Sequence, residues 1–129
     1  MSAIQSQLRE ILSKHPHIHQ ALVFGSVATG LARYESDLDI AVEAESALSA
    51  DQKMQLIESL AAATGRTIDL IDLKTVGEAL LGRILRHGHR ILGSNTDYAA
   101  LVRRHLFEAA DFLPYAERIL KARRQAWTA

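Results

Sequence analysis

The chain contains no cysteine among its 129 residues. Disulfides and thiolate metal sites are therefore excluded, and a reducing compartment is the natural setting. It also lacks an excess of either charge, with 15 basic residues against 15 acidic ones. No bulk positive field argues for nucleic acid as a direct partner. No apolar run approaches the length of a membrane span, and no secretory leader is evident. A cytoplasmic protein without membrane association is expected. Internal repeats and low-complexity linkers are missing too, so residues 1–129 are expected to form a single domain. With 48% apolar and 23% charged residues, the chain has the composition to bury one core.

What is present is concentrated between Gly25 and Val42, in GSVATGLARYESDLDIAV. Gly25-Ser26 ends an apolar run, Ala21 to Phe24, that reads as a strand. Asp37 and Asp39 alternate with Leu38, Ile40 and Val42, so on a strand the two carboxylates project to one side. Carboxylates held that close repel each other, and a divalent cation between them removes the conflict. Mg²⁺ prefers such hard oxygens, completed by water and substrate phosphates. Gly25 has no Cβ to keep backbone from a phosphate, and Ser26 adds a hydroxyl. Asp-x-Asp alone is commonly a solvated strand face, and Gly-Ser alone is only a turn. Their ordered combination points to chemistry on a nucleoside triphosphate.

The pattern Gly25-Ser26-x₁₀-Asp37-x-Asp39 resembles the signature of the polymerase-beta-like nucleotidyltransferases, and the short chain is similar to the minimal nucleotidyltransferase (MNT) proteins of that superfamily. The resemblance implies an α/β (α+β) fold: a small, mixed, palm-like sheet flanked by helices. It also implies a third carboxylate on a neighbouring strand. Thr67–Leu73 offers Asp69 and Asp72, which on a regular strand face opposite sides. Asp69 matches the family position, whereas Asp72, near the strand end, suits a solvated or turn-stabilising role. Asp37, Asp39 and Asp69 are thus the expected catalytic and metal-binding residues, with Gly25 and Ser26 contacting nucleotide, Mg²⁺ (two ions) as cofactor and ATP as substrate. One departure stands out: Thr29 occupies a loop position where relatives often carry a phosphate-binding arginine. Arg33 is read as a surface residue.

MNT proteins commonly pair with a HEPN ribonuclease toxin, which they neutralise by AMP transfer to a tyrosine. The resemblance therefore implies an antitoxin with a HEPN-type partner. Two rivals are a small-molecule nucleotidyltransferase, aminoglycoside-modifying in type, and a non-catalytic antitoxin acting by binding alone. Arg9-x₅-His15 and Arg83-x₅-His89 match the loose motif of the HEPN ribonucleases themselves. The strand-rich middle disagrees with an all-helical fold, and that role is rejected.

Elsewhere the pattern predicts a helix through Ile4, Leu8, Ile11 and Leu12 that ends before Pro16, and a strand over Ile18–Phe24. A short helical or irregular link should lead into a strand over Asp37–Glu43. Ser49/Gln52 and Thr75/Glu78 read as capping boxes. The first should open a helix turning Met54, Ile57, Leu60 and Ala61 inward and stopping at Gly65. The second helix carries Leu80, Leu81, Ile84 and Leu85, with Gly82 as a weak point. A short strand over His89–Leu92 should precede a helical C-terminal part, about 96–126, broken or kinked at Pro114. Val102, Leu106, Ala109, Leu113, Ala116 and Leu120 form its apolar stripe, and Leu101, Phe112 and Trp127 are candidate docking residues, with core packing the competing reading for the first two. His15, His17 and His19 alternate, yet no fourth ligand accompanies them, and a solvated junction is the expected role. The basic residues Arg118, Lys121, Arg123 and Arg124 suit the C-terminal end of a helix dipole.

Overall fold

The computed structural model describes residues 1–25 and 37–128. Within the last helix, side chains are described through residue 108 and at Arg118, Lys121 and Ala122. Along the chain lie α1 (Ala3–Ser13), β1 (Ile18–Phe24), β2 (Leu38–Ala44), α2 (Ala50–Thr64), β3 (Ile68–Asp72), α3 (Glu78–His87), β4 (His89–Leu92) and α4 (Asn95–Thr128). The strands form one mixed sheet in the order β3-β2-β1-β4. β1 runs antiparallel to both β2 and β4, whereas β2 and β3 are parallel. Parallel neighbours cannot be joined by a tight turn, and α2 supplies the crossover between them.

Local chemistry sets the helix ends. Ser2 caps α1, its Oγ accepting from the Gln5 N–H at 3.2 Å. The Ser49–Gln52 box forms as expected, with Ser49 N–H donating to Gln52 Oε1 at 2.9 Å and Gln52 N–H donating to Ser49 Oγ at 3.1 Å. Gly65 closes α2 at φ 67°, a left-handed turn that favours glycine.

The sheet is covered on both faces. Leu38, Ile40 and Val42 of β2 pack with Leu8 and Leu12 of α1 and Leu56 and Leu60 of α2. Leu22 of β1 and Ala41 of β2 point the other way, joining Leu81 and Ile84 of α3 and Leu101 of α4. Odd-numbered residues of β2 therefore look toward α3 and α4, and Asp39 is one of them. Burying Gly82 lets α4 approach α3 closely: a Cβ there would lie 2.9 Å from His105 Cε1.

Several expectations need correction. β2 begins at Leu38, so Asp37 sits just ahead of the ladder. In α2, Leu60 is buried and Ile57 and Ala61 pack against the core as expected, and Leu56 joins them, but Met54 is 55% exposed. Thr75 and Glu78 form no capping box; Gly77 is the N-cap residue of α3, without a side-chain cap. Asp72 explains the difference, since its backbone carbonyl already accepts from the Thr75 and Val76 N–H groups. At the C-terminus one helix, α4, runs through Pro114, which overturns only the alternative of two abutting helices. A proline removes one N–H and crowds one carbonyl, a local disturbance that the turns on either side can span. Leu101 belongs to the core and Leu106 does not, at 62% exposure. The side chains of Phe112 and Trp127 lie outside the described ones. Among the described residues, no helix is long and apolar enough to cross a membrane.

Candidate functional site

The site begins where β1 ends. Gly25 takes φ +70°, and a Cβ on it would lie 2.2 Å from Asp39 Oδ2. Only glycine lets backbone lie against that carboxylate. Phe24 is the register partner of Asp39 across the antiparallel pair. Across the parallel pair, Asp39 is the partner of Asp69. Neighbouring strands are about 4.8 Å apart, so two aspartates from separate segments stand side by side on the face toward α3.

That proximity has an electrostatic consequence. The Asp39 carboxyl is raised above its ordinary 3.8, first by burial, then by the hydrogen bond shared with Asp69 and the negative charges of Asp69 and Asp37. Asp37 is exposed, one residue before β2, and reaches Asp39 through its charge. Among the described residues, no three acidic or imidazole groups gather closely enough to hold a metal ion between them. The structure thus joins Asp39 to Asp69 directly and leaves Asp37 at the margin. Ser26, Thr29 and Arg33 lie outside the described residues, as does the link between Gly25 and Asp37.

Asp72 takes the other course. It is 5% exposed, with Oδ2 accepting from the Leu48 N–H at 2.8 Å and Oδ1 from the Lys74 N–H at 2.9 Å. It stabilises the turn after β3, as the strand-end position suggested, but it is buried rather than solvated.

The two carboxylates open into a cavity of about 420 Å³, the size of a small-molecule site. Phe24, Gly25 and Ile71 complete the sheet side, and Leu80, Arg83 and His87 line it from α3. Arg83 and His87 were not among the expected site residues. Their spacing held a signal, because positions 80, 83 and 87 fall on one face of a helix. The histidine cluster at the other end of β1 is a junction: His15 and His17 meet edge-on at 5.9 Å between centroids, and His19 pairs with Glu45 at 3.7 Å.

An Asp-x-Asp segment leading into a strand beside a third aspartate, on a palm-like mixed sheet with a glycine turn at the neighbouring strand's end, defines a nucleotidyltransferase framework. The chain belongs to the family described as Polymerase beta, Nucleotidyltransferase, which it matches over residues 6–97. It is homologous to the protein adenylyltransferase MntA of Shewanella oneidensis, at 30% identity over 82 residues, or 64% of this chain. The match spans 59% of MntA's own length. The fold is that of a chain in a crystal structure of a toxin-antitoxin with AMP-PNP, with a TM-score of 0.78, 23% identity and coverage of 92% of this chain and 96% of that one. It is also that of a chain in a complex of tri-AMPylated Shewanella oneidensis HEPN toxin with MNT antitoxin, with a TM-score of 0.73, 21% identity and coverage of 92% and 94%.

Proposed function

We propose that this protein is an antitoxin that transfers AMP from ATP to a tyrosine of a HEPN-type ribonuclease toxin, acting in the cytoplasm. One observation carries the reading: Asp39 and Asp69 meet at the same register of two parallel strands and face an open cavity beside the Gly25 backbone. The similarity to MntA, and to chains from complexes containing AMP-PNP or an AMPylated toxin, supports the choice of nucleotide and acceptor.

The donor set fits magnesium. Its oxygens are hard, and Asp39 and Asp69, set side by side at one register, repel each other unless a cation lies between them. Magnesium on Asp39 and Asp69, with Asp37 at the margin, would offset the triphosphate charge and make the acceptor hydroxyl more acidic. The chain's own contributions are positional. Gly25 lets backbone approach phosphate, and Ser26 adds a hydroxyl. Asp69, the more exposed of the pair, would take the hydroxyl proton as the acceptor oxygen bonds to the α-phosphorus and pyrophosphate departs.

The test is to incubate the purified chain with Mg²⁺ and α-labelled ATP, with and without a co-purified partner. Label on a partner tyrosine, lost in Asp39→Asn, is the expected result. Label on a small molecule instead, or no label with any acceptor, overturns the proposal.

A further inference from the structure

Arg83 presents a cation to this cavity. It lies on α3, across from Asp39 and Asp69, and lines the same space. Its side chain is exposed. Among the described residues it makes no hydrogen bond and no ion pair, and neither aspartate is within 4.0 Å of it. Three other cations are engaged: Lys74 with Glu43 at 3.9 Å, Arg104 with Glu108 at 4.0 Å, and Arg90 with Ser94 O at 2.9 Å and Asn95 Oδ1 at 2.7 Å.

The cavity therefore has an acidic wall and a basic wall, and the two do not neutralise each other. Carboxylates meet a polyphosphate only through a cation, whereas a guanidinium binds phosphate oxygens directly and with both arms. A ligand that carries both a metal and unneutralised phosphate oxygens satisfies both walls at once. His87, one turn further on the same face, adds a second donor.

We propose that Arg83 is a phosphate-positioning residue that holds the polyphosphate tail of a metal-bound nucleoside triphosphate against α3. This assignment rests on the nucleotidyltransferase reading and adds to it a residue outside the Gly-Ser turn and the aspartates. It makes the affinity gained from phosphates depend on α3, while the rest of the nucleotide is held elsewhere.

Equilibrium binding to the full chain in Mg²⁺ tests this, with ATP, AMP-PNP and adenosine as separate probes and wild type, Arg83→Ala and Arg83→Lys as proteins. Arg83→Ala should weaken ATP and AMP-PNP about tenfold or more, the loss expected for a charge-assisted contact. Adenosine affinity should stay within about twofold, and Arg83→Lys should recover part of the loss, because lysine keeps the charge without the fork. Unchanged ATP affinity in Arg83→Ala overturns the assignment while leaving the enzyme reading intact. Equal weakening of ATP and adenosine also overturns it, by showing a structural role. Wild type that binds no ATP removes the enzyme reading and this assignment with it.

Discussion

Gly25 and Asp39 are packed so closely that the glycine's missing Cβ is the space the carboxylate occupies, with Oδ2 2.2 Å from where that atom would be. The turn after β1 and the acidic strand beside it are therefore one unit. Gly25→Ala should cost about 1–2 kcal/mol for the left-handed backbone alone. The larger effect falls on chemistry, because the methyl must push Asp39 away from Asp69. Displacing a reacting group by about 1 Å costs on the order of 10²-fold in rate. AMP transfer should fall by about that factor, while urea melts show only the modest backbone loss.

Asp39 is held in a state that disfavours its charge. Asp39→Asn should therefore stabilise the protein while abolishing transfer, by about 0.5–2 kcal/mol, the usual gain when functional strain is relieved. The sign follows from the raised carboxyl. The folded chain keeps a proton that the unfolded chain releases above 3.8, so stability declines as pH rises from there through the raised value. The advantage of the variant should be absent at low pH and grow across that window in urea melts. Added Mg²⁺ should stabilise wild type and close the gap.

Asp69 and Asp72, three residues apart, should separate cleanly. Asp72→Asn sets an amide N–H₂ against one of two backbone donors, Leu48 N–H or Lys74 N–H. It should lose about 1–3 kcal/mol and retain nucleotide binding per folded molecule. Asp69→Asn should show the opposite pattern, with an unchanged or higher urea midpoint and no labelled partner. Matching losses of transfer in both variants would contradict the division of roles.

His15 gives the protein a dependence on pH nearer neutrality. Burial, and then the neighbouring His17, hold its imidazole below the ordinary 6.5. The unfolded chain takes up a proton that the folded chain resists, so stability present above pH 6.5 is lost as pH falls through it. Between about pH 7.5 and 5.5, the urea midpoint of wild type should fall more steeply than that of His15→Asn.

Much of the architecture was legible because it depends on neighbours in the chain. The strand at Ile18–Phe24 and the short one at His89–Leu92 follow from apolar runs bounded by turns, and the Ser49–Gln52 box and Gly65 stop from residue types at fixed offsets. The same local reasoning misread Thr75–Glu78, because the Asp72 carbonyl had already claimed the Thr75 N–H. On α2 it placed Ile57, Leu60 and Ala61 inward correctly but took Met54 for Leu56, since the two differ little as hydrophobes and only the packed partner distinguishes them.

Sequence alone determined the family, the alternation of Asp37 and Asp39, and glycine at the end of β1. Each of these is a matter of residue type and spacing within a few positions. Tertiary structure decided which carboxylate joins Asp39, because the β2–β3 register sets Asp69 beside it and turns Asp72 inward. It also decided that Arg83 shares their cavity, since α3 reaches the site only by packing on the sheet. Contacts between segments far apart in the chain leave no local periodicity to read, and the burial, repulsion and charge opposition that define this site all arise from such contacts.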